Sequence, residues 1–259
     1  MKKIILFDMD GTLTPARQVM SVEVANELYN VQKAGFEIGI LTGSGLDYIK
    51  QQCKPMFEHE LLNCFDIHYL PCNGTKYYRL EHHGMKRVYE ESMIGYLSNS
   101  RWKMLMRIIT TLHSSLINIY GDMPLTGNFI SYRGSTLNWC PIGRQAEDSD
   151  RSVWIELDKT HSIRRQWLNL ARSKFDAEGL EDVMIKLGGD TSFDIYPKGW
   201  DKTYAFTNFA HYKEIYFIGD RCEGAGNDTE AYKLAGELGY STTGPEQTIK
   251  IIKKILENK

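Results

Sequence analysis

Two aspartates one residue apart, Asp8 and Asp10, follow a short apolar run at residues 4–7 (IILF) and open the phrase DMDGTLT. Carboxylates at this spacing, where a chain leaves a strand, can face one cavity and hold a hard cation such as Mg²⁺ through oxygen. One can attack phosphorus while the other manages a proton. Gly11 frees the backbone to turn. The competing reading is a plain D-x-D-G turn or a calcium loop. An EF-hand loop needs a further acidic ladder and a closing Glu, which Thr14, Ala16 and Val19 do not supply.

The elements that must position these carboxylates can be read along the chain. Residues 4–7 are apolar without alternation, which predicts a central parallel strand buried on both faces. Ser21 can cap a helix whose Val24, Leu28 and Val31 share one face, and Gly35 supplies the stop. Residues 36–41 (FEIGIL) read as the next strand and residues 66–70 as another. Such βαβ order implies a parallel sheet. The end of the chain repeats the pattern: a strand at 215–218, a glycine-rich loop, a helix near 228–235, and a strand around 240–242. A last helix, with Ile249, Ile252 and Leu256 helically spaced, follows Gly244-Pro245. The middle differs. It holds an amphipathic stretch near 98–118, strand-like segments at 128–140 and 183–196, and a polar stretch at 145–152. The expectation is an α/β fold, a Rossmann-like doubly wound parallel sheet core with an inserted α+β cap domain. The core takes residues 1–84 and 198–259, and the cap residues 85–197.

Composition excludes some functions. The 259 residues carry 31 Lys+Arg against 33 Asp+Glu, a formal net charge of -2, so nothing global calls for nucleic acid or an anionic membrane. No apolar stretch approaches the ~20 residues of a membrane span, and the N-terminal apolar run is too short for a signal peptide. Five cysteines with no CxxC spacing read as free thiols in a reducing compartment, and a cytoplasmic location is expected.

The phrase DMDGTLT resembles the first motif of the haloacid dehalogenase superfamily, DxDGT. That resemblance implies Asp8 as a nucleophile that becomes an aspartyl-phosphate and Asp10 as the general acid/base. It also implies a Ser or Thr at the second strand's end, for which Thr42 and Ser44 are both candidates, and a lysine, for which Lys202 fits and Lys198 is a possible substitute. Gly219-Asp220 with Gly226-Asn227-Asp228 matches the acidic metal motif. The implied Mg²⁺ ligands are Asp8, Asp10 and Asp220, with Asn227 and Asp228 either outer residues or the cap of the next helix.

The insert narrows the resemblance. Arg133, Arg144 and Arg151 are guanidinium groups suited to holding phosphate through paired donors. The chain resembles the eukaryotic-type phosphomannomutases, whose FRNGMLNxSPIGR, ELDK, GGxxSFDxFPxGWDK and GDxxxxGGND appear here as YRGSTLNWCPIGR, ELDK, GGDTSFDIYPKGWDK and GDRCEGAGND, in the same order. The N-terminal DMDGTLTPARQ resembles DxDGTLTxxRQ, so coverage runs from residue 4 to about 242. The resemblance implies substrate binding by Arg17, Arg133, Arg144, Arg151, Ser192, Asp194, Gly188 and Gly189. It implies interconversion of mannose 6-phosphate and mannose 1-phosphate through a hexose 1,6-bisphosphate that turns around, in supply of GDP-mannose. It implies small hexose phosphates as partners and a homodimer through the cap. The departures are Cys72-Asn73-Gly74 where the family has ENG, Arg133-Gly134-Ser135 where it has RNG, and Pro124-Leu125-Thr126-Gly127 in place of a basic stretch. A sugar-phosphate phosphatase of the same superfamily is the alternative, and a non-catalytic phosphosugar binder is a third. The intact set Asp8, Asp10, Lys202 and Asp220 speaks against the third.

Overall fold

Four side chains of β1 (Lys3–Phe7) show why the core is layered as it is. Ile5 and Phe7 enter one apolar cluster, while Ile4 and Leu6 enter another on the opposite face. Strand side chains alternate, so an unbroken apolar run is stable only where both faces are covered. The computed structural model describes residues 2–224 and 226–258. One compact unit runs to Glu90 and resumes at Gly199, and a second spans Glu91–Lys198.

In the first unit, β1 is followed by α1 (Val22–Lys33), β2 (Glu37–Leu41), α2 (Leu46–Gln52), α3 (Lys54–Phe57), β3 (Ile67–Leu70), β4 (Lys76–Glu81) and β5 (Gly84–Glu90). The second unit holds α4 (Met93–Ile119), β6 (Ile130–Tyr132), β7 (Leu137–Trp139), α5 (Asp148–His161), α6 (Ile163–Ala177), β8 (Val183–Gly188) and β9 (Ser192–Pro197). The chain then returns through a 3-10 segment, Lys202–Phe209, to β10 (Glu214–Gly219), α7 (Thr229–Ala235), β11 (Gly239–Ser241) and α8 (Pro245–Glu257).

The core sheet has the order β11-β10-β1-β2-β3-β4-β5 and is parallel from β11 to β3. Helices α1 and α8 cover one face with Val24, Leu28, Val31, Ile251, Ile252 and Ile255. Ala205, Phe206 and Phe209 of the 3-10 segment cover the other with Ala231 of α7. The chain leaves β1 with β2 on one side and β10 on the other, the kind of switch point where doubly wound sheets bind ligands. The expected start of the insert at residue 85 falls within β5. That strand pairs along β4, and β4 pairs with β3, so backbone hydrogen bonds tie the hairpin to the core sheet.

The second unit is a four-stranded antiparallel sheet, β6-β7-β9-β8, with α4 and α6 packed on it. Trp139 and Phe193 stack at 4.6 Å between ring centroids on its apolar side. The polar stretch at 145–152 is the start of α5. Glu147 and Asp150 form a capping box there, so polar residues mark a helix N-terminus. The amphipathic stretch expected near 98–118 lies within α4, which breaks at Ser98 (φ +66).

At the end of the sheet remote from Asp8, a buried polar knot gives the core an acid limit. His68 Nε2 lies 2.7 Å from Glu37 Oε2, and its Nδ1 lies 2.8 Å from the Tyr77 hydroxyl. Burial, against the pull of Glu37, lowers His68 to about 4. The unfolded chain takes a proton on this ring near pH 6.5 and the fold does not. Stability contributed by neutral His68 is therefore present above pH 6.5 and lost as pH falls toward 4. We expect a His68→Gln variant to lose less stability than the parent between pH 7 and 4.5, by on the order of 2 kcal/mol, in paired urea titrations.

Candidate active site

Asp8 sits at the tip of β1, 4% exposed, with its backbone N–H donating to Ile218 O at 2.9 Å. The turn after it is tight: the N–H groups of Thr12, Leu13 and Thr14 all donate to Met9 O, at 3.2, 2.9 and 3.0 Å. Gly11 is required twice over. Its φ of +82° favours glycine, and a Cβ there would overlap the Asp220 carboxylate. The same overlap shows how near the β10 loop lies to the β1 turn.

Lys202 is the centre of the site. It opens the 3-10 segment, is 1% exposed, and its Nζ donates to Asp8 Oδ1 and to Asp228 Oδ1. Thr12 Oγ1 donates to Asp8 Oδ2 at 3.2 Å. Burial works against the ammonium, but Asp228 and Asp8 outweigh it and hold Lys202 above its usual pKa. Asp8 is pushed the other way from a normal carboxylate. Burial raises it to about 8 despite Lys202, and the charges of Asp228 and Asp220 add to the rise. Asp220 is raised to about 6 by burial and by Asp228. Lys198, the alternative lysine, is exposed in the second unit.

One oxygen each from Asp8, Asp220 and Asp228 lie within 4.8 Å of one another. A small divalent ion with oxygen ligands at ~2.1 Å spreads them over ~3–4 Å, so the spacing suits one. Three carboxylates against one ammonium also leave negative charge in excess, which a cation would offset. Asp10, expected among the metal ligands, is not one of these three clustered carboxylates; its Oδ1 accepts the Arg17 N–H at 2.9 Å. Asp228 takes the third place. It precedes α7 without a side-chain cap bond, and its Oδ2 accepts the Arg221 N–H at 3.1 Å. Asn227 is exposed.

The β2 loop lies alongside. Thr42 is buried, and its Oγ1 accepts the Ser44 N–H at 3.1 Å; Ser44 itself is half-buried. The turn Cys72-Asn73-Gly74 braces this loop. Its three φ angles are 52, 61 and 79°, and the N–H groups of Cys72 and Asn73 donate to Ser44 O and Thr42 O at 2.9 and 2.8 Å. Asn73 Nδ2 donates to Trp200 O at 3.4 Å, two residues before Lys202. Arg17 is exposed on the β1 turn (φ +60°).

The other expected residues, apart from Arg17, lie in the second unit. Arg133 lies in the β6–β7 turn, where its N–H donates to Thr136 O at 2.8 Å. Arg144 Nη1 donates to Asn138 Oδ1 at 3.0 Å, and Arg151 Nη1 to Thr191 Oγ1 at 3.3 Å. Ser192 Oγ donates to Gly188 O at 2.7 Å, and Asp194 Oδ1 accepts from Asn138 Nδ2 at 2.8 Å. Gly188 is glycine because a Cβ would crowd Asp194, whereas Gly189 (φ +53°) borders open space. Asn138 and Arg164 were missed in the sequence. Arg164 Nη1 donates to Gly189 O at 2.8 Å while its Nε donates to Asp158 at 2.6 Å. Asn138 stands inside the LNW phrase, whose place among the arginines was the available signal.

Comparison with known proteins agrees with this geometry. The model of the eukaryotic phosphomannomutase family matches residues 24–258. A phosphomannomutase of Drosophila melanogaster is 34% identical over 258 residues, covering 98% of this chain and 95% of its own. Among solved structures, a haloacid dehalogenase-like hydrolase from Bacteroides thetaiotaomicron superposes with a TM-score of 0.60 at 16% identity, covering 98% of this chain and 100% of its own. An IMP-bound, N-terminally truncated IMP-nucleotidase of Plasmodium falciparum reaches a TM-score of 0.72 at 11% identity, covering 99% of this chain and 68% of its own. These two likenesses concern the fold: a doubly wound core carrying an α+β insert. The match over most of the chain, with relatives that align nearly end to end, places the protein in the eukaryotic phosphomannomutase family.

Proposed function

We propose that the protein interconverts mannose 6-phosphate and mannose 1-phosphate, with Asp8 carrying the phosphoryl group between turnovers. The observation that carries this reading is Asp8 itself: buried at a strand tip, bonded to Lys202, with Asp220 and Asp228 beside it. In the forward step a phosphorylated Asp8 gives its phosphoryl group to a sugar hydroxyl. Asp10 takes that proton, and the Asp8–phosphorus bond breaks as the sugar–oxygen bond forms, giving the 1,6-bisphosphate. In the return step an Asp8 oxygen attacks the opposite phosphate, and Asp10 gives the proton back to the departing sugar oxygen. Two unit charges ~4 Å apart repel by ~4 kcal/mol at an effective dielectric near 20, so an anionic nucleophile needs help against an anionic phosphate. Lys202 offers that help from within the fold, and a hydroxyl of the β2 loop, that of Thr42 or of Ser44, supplies a donor to the moving group. Mg²⁺, held by Asp8 and Asp220 with Asp228 completing the acidic set, would supply further positive charge on the phosphoryl oxygens.

Such a reaction needs a phosphate site that reacts and another that only holds. We assign the first to the Asp8 set and the second to Arg133, Arg144 and Arg151 with Ser192 and Asp194, and Arg17 to the substrate as well. The same reading takes the insert as the cap, its Gly188 and Gly189 giving backbone access, and pairs the enzyme as a homodimer through the cap, which sedimentation velocity would reveal. Among the described residues no helix is long and apolar enough to cross a membrane, and all five cysteines are free and buried, which suits a cytoplasmic enzyme.

The test supplies mannose 1-phosphate with a catalytic amount of hexose bisphosphate. Accumulating mannose 6-phosphate, abolished by chelation and restored by Mg²⁺, supports the reading. Free phosphate without isomer would make the protein a sugar-phosphate phosphatase instead.

A further inference from the structure

Asn138 bridges two opposite charges that do not pair. Its register partner across β7 and β9 is Asp194, so the two side chains leave the sheet on one face. Asn138 is 2% exposed, and Nδ2 donates to Ser192 Oγ at 3.0 Å, Phe193 O at 3.3 Å and Asp194 Oδ1 at 2.8 Å. Oδ1 accepts from Arg144 Nη1 at 3.0 Å. The orientation of the amide is forced, because a guanidinium only donates and a carboxylate only accepts. Arg144 and Asp194 are thus one carboxamide apart. Among the described residues neither is within ion-pair distance of an opposite charge; their shared partner is a neutral amide.

We propose that Asn138 is a positioning residue that keeps the Arg144 guanidinium from closing onto Asp194, and so keeps its donors available for the phosphate of a hexose phosphate. This deepens the proposed function and rests on the assignment of Arg144 and Asp194 to substrate. The physical reasoning is a competition. An Arg–carboxylate pair uses the same paired donors that a phosphate would use. If Arg144 met Asp194 directly, substrate would have to break that pair before binding. The carboxamide instead holds the guanidinium by one donor, leaves the others open, and ties the carboxylate to itself and to Ser192 at the start of β9.

Two experiments separate this idea from the reading beneath it. A crystal structure of Asn138→Ala tests the geometry without reference to activity. A direct contact between Arg144 and Asp194 is expected, and an Arg144 left where it stands in the parent, apart from Asp194, would overturn the proposal. Steady-state kinetics test the consequence. Asn138→Ala should raise KM for mannose 1-phosphate by about tenfold with a much smaller change in kcat, whereas in an Asp194→Asn background the same change should raise it by less than about threefold. Asn138→Asp should raise KM at least as much as Asn138→Ala, since it places a carboxylate directly against Arg144. Equal losses in both backgrounds would mean that Asn138 only supports the fold, and would overturn the proposal. If the parent enzyme shows no isomerisation, the function fails while the crystal structure still decides the geometry.

Discussion

Asp8→Asn should fold normally and turn over at no more than about one ten-thousandth of the parent rate. The amide oxygen that replaces the carboxylate is a poor nucleophile and cannot carry a phosphoryl group as an acyl phosphate. The fold has little reason to object. Asp8 lies in a cluster of three carboxylates around one ammonium, and burial already raises its pKa to about 8. Burial already favours an uncharged group at this position, so a neutral amide suits it, and Lys202 keeps Asp228 as partner. The melting temperature in the absence of divalent ions should stay within a few degrees of the parent. The coupled mutase assay and a thermal melt read the two halves of this prediction. Retained turnover in Asp8→Asn would remove the nucleophile assignment.

Lys202→Met has the second large effect and a different signature, because it should cost stability and activity together. Lys202 is 1% exposed and lies between Asp8 and Asp228, both buried. A methionine fills most of the volume but leaves two buried carboxylates without their counter-charge. Breaking a buried ion pair from one side costs about 3–5 kcal/mol, which corresponds to a fall of roughly 6–20 °C in melting temperature for a chain of this size. Turnover should drop by about a thousandfold, since the group that offsets anion–anion repulsion is gone. Lys198→Met is the control: that side chain is exposed, and its loss should change neither quantity. A Lys202→Met protein with parental stability would show that the ion pairs do not hold the site together.

The sequence carried the catalytic unit more fully than the insert, and the reason is physical. Most of residues 4–7, 36–41, 66–70 and 215–218 is buried or half-buried with both faces covered, so their apolar character is legible without knowing the fold, and the structure places β1, β2, β3 and β10 there. The α1 cap at Ser21 was legible because its side chain accepts a backbone N–H, as the residue type suggests. Helix α5 was not, because Trp154 is its one fully buried residue and its start is acidic. Helix α6 buries Ile163, Trp167, Ala171 and Phe175, a stripe at every fourth residue that went unread. The expected boundary at residue 85 cuts the β4–β5 hairpin, whose second strand is mostly exposed and charged and carries little apolar signal for the sheet it joins.

Within the site, local motifs conveyed residue types, and tertiary packing decided partners. Lys202 over Lys198 follows from burial, which residue spacing does not encode. Asp228 was balanced between helix cap and outer residue. It stands at the N-cap position of α7, and its carboxylate meets a lysine 26 positions earlier in the chain, a contact set by tertiary packing. Asp10 accepts the Arg17 backbone N–H, a contact that depends on the left-handed φ of Arg17 in the folded turn. Asn138 offers no chemistry of its own as a residue type, and its place between Arg144 and Asp194 appears only when β7 and β9 pair.

The most direct measurement is to trap the phosphorylated enzyme. The protein is incubated briefly with hexose 1,6-bisphosphate and Mg²⁺, quenched in acid, digested and analysed by mass spectrometry. One phosphoryl group should appear on the peptide containing Asp8, localised to that side chain, and should be absent from Asp8→Asn. Isomerisation that proceeds with no such adduct, or with the phosphoryl group on another residue, would contradict the account.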